Sequence, residues 1–122
     1  MATFSKVLRP TDIHKRLSVP AKYLRSLPPF EGGYAVVFQA IDDDGHVWTF
    51  KCSVRKKGRY PKPVLGKGWL AFVAGKNLKV GDKVRFYEEK NKSAATHAYK
   101  VQVAKEVRIF GAIFGYTVIV AP

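Results

Sequence analysis

The chain has one cysteine, no long apolar run and no leader-like N-terminus, and each absence excludes a class of protein. A single cysteine, Cys52, in 122 residues excludes an internal disulfide framework and fits a reducing compartment. No apolar run approaches the roughly 20 residues needed to span a bilayer, and the N-terminus lacks the hydrophobic segment of a signal peptide. We therefore expect no membrane partner, and we predict that Cys52 is a small buried side chain in a strand.

Motifs for catalysis are also missing. The three histidines, His14, His46 and His97, are far apart, and none forms a local metal-ligand pattern with Cys52 or a carboxylate. A turn between two strands explains the run Asp42–Asp44 more simply than a metal loop does. The sequence has no phosphate loop, nucleophile elbow or dinucleotide fingerprint. We predict a protein that is not an enzyme and that has no catalytic residue, metal or cofactor.

Acidic residues are absent from the part of the chain where basic residues concentrate. The formal net charge is +13, and residues 51–80 contain nine basic and no acidic side chains, whereas residues 31–50 contain four acidic and no basic ones. Charge alone leaves nucleic acid, anionic lipid and an acidic protein open as partners. A single-sign stretch between structured segments is typical of a surface that holds cations against a polyanion, and nucleic acid is the first candidate.

Strand patterns dominate the sequence. Residues 34–41 are rich in β-branched and aromatic side chains, residues 46–52 alternate, and the Asp-Asp-Asp-Gly turn between them predicts a hairpin. Trp48, Phe50 and Cys52 share one face of its second strand. The other predicted strands are residues 83–88, residues 98–103 and the apolar ending 107–120, which is either one long bent strand or two paired ones. Residues 91–95 are predicted to form a polar loop.

Two short helices complete the predicted elements. The first begins near Pro20 and ends before Pro28, and the second runs from about Gly68 to Ala74. Both are too short to be stable alone, so each must dock on the sheet. Many short strands with two docked helices predict one compact, mainly β, barrel-like domain over residues 1–122. Trp48 and Trp69 fit its core better than a surface for base stacking.

The central basic stretch contains groups that suit nucleic acid. Lysine and arginine neutralise phosphates, an arginine fork fits guanine O6 and N7, and hydroxyl groups donate to phosphate oxygens. A glycine there permits close backbone approach. The candidates are Ser53, Arg55, Lys56, Lys57, Gly58, Arg59 and Tyr60. The competing interpretation is a solvated loop without a partner, and we assign Lys62 and Lys67 to the scaffold or to backbone contacts.

A second basic block precedes the apolar segment that begins at Leu17. Its candidate residues are Lys6, Arg9, Thr11, Asp12, His14, Lys15, Arg16 and Ser18. Asp12 either caps the segment, pairs with a neighbouring cation or accepts a hydrogen bond from cytosine N4, and we favour a structural role for it.

Five segments share a pattern with one known family: residues 4–12, 16–20, 44–50, 68–73 and 77–86. In this order they resemble the plant B3 DNA-binding domain. No single segment is specific, but the ordered set is, and it covers roughly residues 4–104. Residues 105–122 lie outside the pattern.

The resemblance implies a seven-stranded open pseudobarrel with two short helices, in which two arms grip the major groove of double-stranded DNA. The N-arm corresponds to the segment around residues 11–18, and the C-arm to residues 53–61. It also implies a nuclear plant protein that regulates transcription. The C-arm is more basic than in many members, so no target sequence carries over. Weakly selective binding through phosphates, as in the reproductive-meristem branch, is one expectation.

Two other functions stay open at the level of the sequence. A protein-interaction module would dock an acidic partner on the basic face and would not bind duplex at moderate salt. An RNA or single-strand binder would need exposed aromatic side chains along a groove, with Trp48 and Tyr60 accessible on the basic face.

Overall fold

A computed structural model of the protein describes residues 3–54, 62–91, 96–109 and 112–118. These residues form eight strands, two α-helices and one 3₁₀ helix. In chain order the elements are β1 (Thr3–Val7), α1 (Pro10–His14), β2 (Leu17–Ser18), the 3₁₀ helix (Ala21–Ser26), β3 (Ala35–Ile41), β4 (Val47–Ser53), β5 (Val64–Leu65), α2 (Trp69–Gly75), β6 (Lys83–Asn91), β7 (Thr96–Ile109) and β8 (Ala112–Val118).

Seven strands follow one hydrogen-bonded path, and the eighth branches from it. The path runs β1-β6-β7-β3-β4-β5-β2, and β8 pairs with β7. All neighbours are antiparallel except β3 and β7, which run parallel at Ala40 and Tyr99. Among the described residues the two end strands, β1 and β2, do not pair, so the curved sheet stays open. The expected mainly β, seven-stranded open pseudobarrel with few helices is confirmed.

The predicted hairpin forms with the expected register and faces. Ala35 of β3 lies opposite Ser53 of β4, and Ile41 lies opposite Val47. Gly45 in the connecting turn has a φ of 86°, a conformation that glycine adopts without steric cost. Phe50 and Cys52 of β4 point into the core with no exposed surface, whereas the residues that alternate with them are exposed.

An aromatic cluster fills the inside of the sheet. Phe50 lies at its centre, with ring centroids 5.6 Å from Phe72, 5.5 Å from Phe86 and 6.4 Å from Trp69. Trp69 and Phe72 are completely buried because α2 packs its apolar face onto β4. Burial of large rings contributes more to stability than any other class of side chain. The core therefore holds α2 in a fixed position, and α2 can in turn fix the residues that it contacts.

The helices differ from the prediction at two points. Residues 10–14, expected to form a loop, form the five-residue helix α1. The helix expected after Pro20 is a 3₁₀ helix, Ala21–Ser26, closed by i→i+3 hydrogen bonds such as that from Tyr23 N to Pro20 O at 2.9 Å. The second predicted helix is confirmed as α2. No helix in the described ranges is long and apolar enough to cross a bilayer.

The apolar ending forms two paired strands. β7 extends to Ile109, and β8 folds back on it with a register shift between Val107 and Arg108. The base of this hairpin is tied to the turn before β6, since Asp82 accepts hydrogen bonds from Lys105 Nζ at 2.8 Å and from Glu106 N at 3.0 Å. The loop expected at residues 91–95 lies, from residue 92 onward, outside the described residues.

Candidate nucleic-acid interface

The first basic block folds as one surface segment between β1 and β2. It leaves the last pleat of β1, forms α1 and enters the edge strand β2. Most of its predicted contact residues are exposed to solvent: Arg9, Thr11, His14, Lys15, Arg16 and Ser18. Within the described residues, no carboxylate pairs with Lys15 or Arg16. The segment therefore presents an unneutralised row of donors.

Asp12 and Lys6, the other two predicted residues of the block, bind each other inside the fold. Asp12 is 2% exposed. Its Oδ1 accepts a hydrogen bond from Lys6 Nζ at 2.7 Å, and its Oδ2 accepts one from Arg9 N at 2.8 Å. These are the capping and cation-pairing roles that the sequence favoured. Because both carboxylate oxygens are engaged, the side chain is not available to a base edge in this conformation.

The core fixes the position of α1. Trp69, completely buried in α2, donates from Nε1 to the main-chain carbonyl of Asp12 at 2.6 Å. A helix of five residues has too few internal hydrogen bonds to hold its own shape. The prediction that Trp69 belongs to the core is confirmed, and the structure adds that the indole connects the core to the basic segment.

The first basic segment ends on β2 and the second begins at the end of β4, and both strands pair with β5, so the two segments share one row of the sheet. Ser18 of β2 pairs with Val64 of β5, and Val64 pairs in turn with Ser53 at the end of β4. Directly opposed residues in antiparallel strands project from the same face. Neighbouring strands are about 4.8 Å apart, so the two serines lie about 10 Å apart. The row behind them, made of Leu17, Leu65 and Cys52, is fully buried and anchors the three strands.

An open cavity of about 540 Å³ lies at this row. Its polar lining comes from both segments and consists of Arg16, Ser18, Ser53 and Lys62. Lys62 is exposed, and no carboxylate among the described residues pairs with it. From the sequence we assigned Lys62 to the scaffold or to backbone contacts, and the structure places it in the lining of this cavity.

Most of the second basic segment lies outside the described residues. Arg55, Lys56, Lys57, Gly58, Arg59 and Tyr60 fall there, so their assignment stays a prediction. The described ends of the segment are Val54, whose N–H donates to Tyr34 O at 2.8 Å, and Lys62. Both of these described ends line the cavity.

The acidic turn lies at the opposite end of the β3–β4 hairpin from Ser53. Asp42 is buried, and its carboxylate accepts hydrogen bonds from Trp48 Nε1 at 2.8 Å and from two main-chain N–H groups, while Lys76 Nζ lies 2.7 Å away. Burial acts to raise the pKa of Asp42, but the hydrogen bonds from Lys76, Trp48 and His46 outweigh it and lower the pKa to about 2.

This turn resembles a metal site only in composition. Ligand atoms of Asp42, Asp44 and His46 lie within 4.8 Å of one another. However, the ammonium of Lys76 lies 3.0 Å from Asp44 Oδ2 as well as beside Asp42, so a protein cation already balances both carboxylates. The hydrogen bonds of Asp42 account for the acidic run as a hairpin turn.

Trp48 is packed in a way that does not suit base stacking. Its ring lies 5.0 Å from Phe72 in an edge-to-face arrangement, and its indole N–H is used by Asp42. The aromatic platform that a single-strand binder requires is therefore not provided by Trp48. Tyr60, the other candidate, lies outside the described part of the chain.

Comparison with known proteins gives the family. A pseudobarrel with two basic segments at one rim defines a class of nucleic-acid-binding domain, and residues 4–102 match the model of the B3 DNA binding domain. The chain belongs to the B3 DNA-binding domain family, which confirms the resemblance inferred from the sequence. The branch within the family stays a prediction.

Relatives and solved structures agree with this assignment. The B3 domain-containing transcription factor NGA4 of Arabidopsis thaliana is 37% identical over 89 residues, which are 69% of this chain and 26% of the relative. The AP2/ERF and B3 domain-containing transcription factor RAV1 of the same plant is 34% identical over 91 residues, 70% of this chain and 26% of that protein. The chain thus spans about a quarter of the length of these relatives. The Arabidopsis FUS3–DNA complex matches with a TM-score of 0.71 and 28% identity over 84% of this chain and 95% of that one.

Proposed function

We propose that this chain binds double-stranded DNA through two arms that enter the major groove. We extend the N-arm to residues 9–18, to include Arg9, and the C-arm to residues 53–62, to include Lys62. The proposal rests on the row Ser18–Val64–Ser53. In this row the last residue of the N-arm and the first residue of the C-arm lie at one rim of the pseudobarrel. The DNA-bound state of the similar FUS3 domain supports the same partner for this chain.

The spacing of the arms suits the groove. The strands that carry Ser18 and Ser53 are about 10 Å apart, and the major groove of B-DNA is about 12 Å wide. Arg16 and Lys62 line the cavity between them together with the two hydroxyls. Cations flanked by hydroxyl donors match the oxygens of a phosphate backbone, which takes half or more of the hydrogen bonds in protein–DNA complexes.

The residues of the two arms have different roles in this proposal. Thr11, His14, Lys15, Arg16 and Ser18 contact DNA from the N-arm, together with Arg9. Ser53, Arg55, Lys56, Lys57, Gly58, Arg59 and Tyr60 act from the C-arm, with Lys62 added at its base. Asp12 and Lys6 position the N-arm and make no base contact, because they are paired with each other.

The charge distribution supports one orientation on DNA. The acidic turn around Asp42 lies at the far end of the hairpin that ends in Ser53. A polyanion attracts the basic rim and repels the acidic turn, so the field orients the domain before contact. Lys15, Arg16 and Lys62, which pair with no carboxylate among the described residues, favour affinity through phosphates, and weak sequence selectivity follows if few side chains reach base edges.

The biological setting follows from the relatives. Because they are transcription factors, we propose that this chain acts in the nucleus as a regulator of transcription. We propose that it has no catalytic activity and needs no cofactor. We also propose that residues 1–122 form one domain. Lys105 and Glu106, at the base of the β7–β8 hairpin, donate hydrogen bonds to Asp82, which lies within the residues that match the B3 model.

A charge-matched pair of double variants tests the DNA surface. Lys15→Ala/Arg16→Ala removes one lysine and one arginine from the N-arm. Arg85→Ala/Lys100→Ala removes the same charges from the outer face of β6 and β7, where Arg85 stacks 4.5 Å above the Tyr87 ring. Affinity for a duplex is measured at fixed salt, and circular dichroism checks that both variants are folded.

The proposal predicts at least roughly tenfold weaker binding for the N-arm variant and a change within about twofold for the outer-face variant. Equal losses in both variants would mean that only net charge matters. That result would contradict the assignment of the N-arm as a contact surface.

A further inference from the structure

Ser18 combines an exposed hydroxyl with an unusual sequence context. It is exposed in the edge strand β2, and the residues two and three positions before it are Arg16 and Lys15. Of all serines and threonines in the 122 residues, Ser18 alone has basic residues at both of those positions. Many protein kinases select their substrates by such charge patterns.

We propose that Ser18 is a phosphorylation site for a kinase that selects basic residues before the acceptor serine. Its phosphate prevents DNA from binding at the cavity between the two arms. The effect on DNA rests on the function proposed above, whereas the assignment of the acceptor site does not.

The reaction is an ordinary phosphoryl transfer from ATP. The Ser18 Oγ attacks the γ-phosphorus, the bond from that phosphorus to the ADP leaving group breaks, and the hydroxyl proton passes to the catalytic base of the kinase. The products are a phosphoserine monoester and ADP.

The surroundings of Ser18 accommodate the phosphate and use its charge. Ser18 lines the cavity of about 540 Å³ together with Arg16, Ser53 and Lys62. A phosphoserine carries a charge of about −1.5 to −2 and three acceptor oxygens. In this cavity it would accept charge-assisted hydrogen bonds from both cations, which would then be lost to DNA, and its own charge would repel a DNA phosphate.

The acceptor segment is accessible as folded. Leu17 and Ser18 form the extended strand β2, with Arg16 and Ser18 exposed and Leu17 and Val19 buried. β2 has two residues and pairs only with β5 among the described strands. Because Lys15, Arg16 and Ser18 are exposed while Leu17 stays anchored in the core, a kinase reaches the serine without unfolding the domain.

The test treats the folded chain with ATP and the catalytic subunit of cyclic-AMP-dependent protein kinase, and maps phosphate by mass spectrometry. Phosphate on Ser18 is expected, with none after Ser18→Ala and with full incorporation after Ser53→Ala, whose hydroxyl lines the same cavity. A peptide of residues 13–22 reports that the kinase is active. Modification of the peptide without modification of the folded chain overturns the proposal.

Duplex affinity is then compared for the same protein incubated with and without ATP. The phosphorylated chain is expected to bind about ten- to hundredfold more weakly, the loss for one or two charge-assisted hydrogen bonds to phosphate. The Ser18→Ala variant, whatever its own affinity, should not respond to ATP. Unchanged affinity after full phosphorylation overturns the switch. If neither form binds duplex, the DNA-binding function fails, while the mass spectrum still decides the acceptor site.

Discussion

The indole of Trp69 donates from Nε1 to the main-chain oxygen of Asp12 at 2.6 Å, across 57 positions in sequence. The carboxylate of the same aspartate accepts from Lys6 Nζ and from Arg9 N. Asp12 therefore connects three elements, namely the core helix α2, the end of β1 and the start of α1. A contact surface on a helix of five residues becomes rigid only through such external bonds.

Replacing Asp12 with asparagine should loosen this connection. Asp12→Asn keeps the shape but removes the charge that pairs with Lys6, so we expect about 1–3 kcal/mol of lost stability, the usual cost for a buried charged hydrogen bond. Urea denaturation measures it. The matched control is Asp43→Asn, because Asp43 is exposed and accepts a hydrogen bond from the exposed side of the sheet, from Gln102, and a change within about 0.5 kcal/mol is expected there. Similar values for the two variants would mean that the Asp12 pair contributes little.

The acidic turn should make stability depend on pH below 4. The pKa of Asp42 is lowered from 3.8 to about 2, so the unfolded chain binds the proton more tightly than the folded one. This contribution, about 2 kcal/mol, is fully present above about pH 4 and is lost as the pH falls through 2. Unfolding free energies of the wild type and of Asp42→Asn should therefore converge between pH 5 and pH 2. A constant difference over this range would show that Asp42 does not carry the dependence.

Gly68 at the start of α2 should tolerate no side chain. Its φ is +90°, and a Cβ there would lie 2.0 Å from Thr49 O, a main-chain atom that cannot move aside. Gly68→Ala should cost at least about 2 kcal/mol, from the left-handed backbone and the clash together. Gly66→Ala is the control, since no atom lies within 4 Å of its added Cβ, and it should be close to neutral. Equal unfolding midpoints for both variants would contradict the geometry at Gly68.

The C-arm charges should carry a measurable share of the salt dependence. Replacing Arg55, Lys56, Lys57 and Arg59 with alanine should weaken duplex binding without unfolding the domain. Each lost phosphate contact should reduce the slope of log affinity against log salt by roughly 0.9, and the wild-type slope should be steeper than about −3. Retained affinity in the folded variant would remove the C-arm from the interface.

The individual strands were predictable because period-two alternation and turn residues act locally, whereas the seven-stranded pseudobarrel was implied by the resemblance to the B3 domain. The alternation of Trp48, Phe50 and Cys52 was enough to orient β4, and Asp42–Gly45 was enough to place its turn. Helix α1 was missed because residues 10–14 lack a helical apolar period, and the bonds that stabilise it come from Trp69, far away in sequence. The sequence left the role of Asp12 open for the same reason, because a charge pattern does not show which carboxylate pairs with Lys6.

The candidate site divides in a similar way. Its charges were readable in the sequence as a single-sign stretch, and the order of motifs gave the two arms. The row that joins Ser18 to Ser53 through Val64 was not readable, because β2 and β5 have two residues each and so short a strand has no period. Lys62 could be assigned to the site only after the structure showed that it lines the cavity at that row.

The central claim is that the face carrying the two arms contacts DNA. An NMR titration of the ¹⁵N-labelled chain with a duplex identifies the contacting face directly. We predict that the largest amide shift changes lie in residues 9–18 and 53–62, with small changes in the acidic turn 42–46 and in strands β6 and β7. Changes centred on β6 and β7 or on the acidic turn, with the two arms unaffected, would contradict the two-arm clamp.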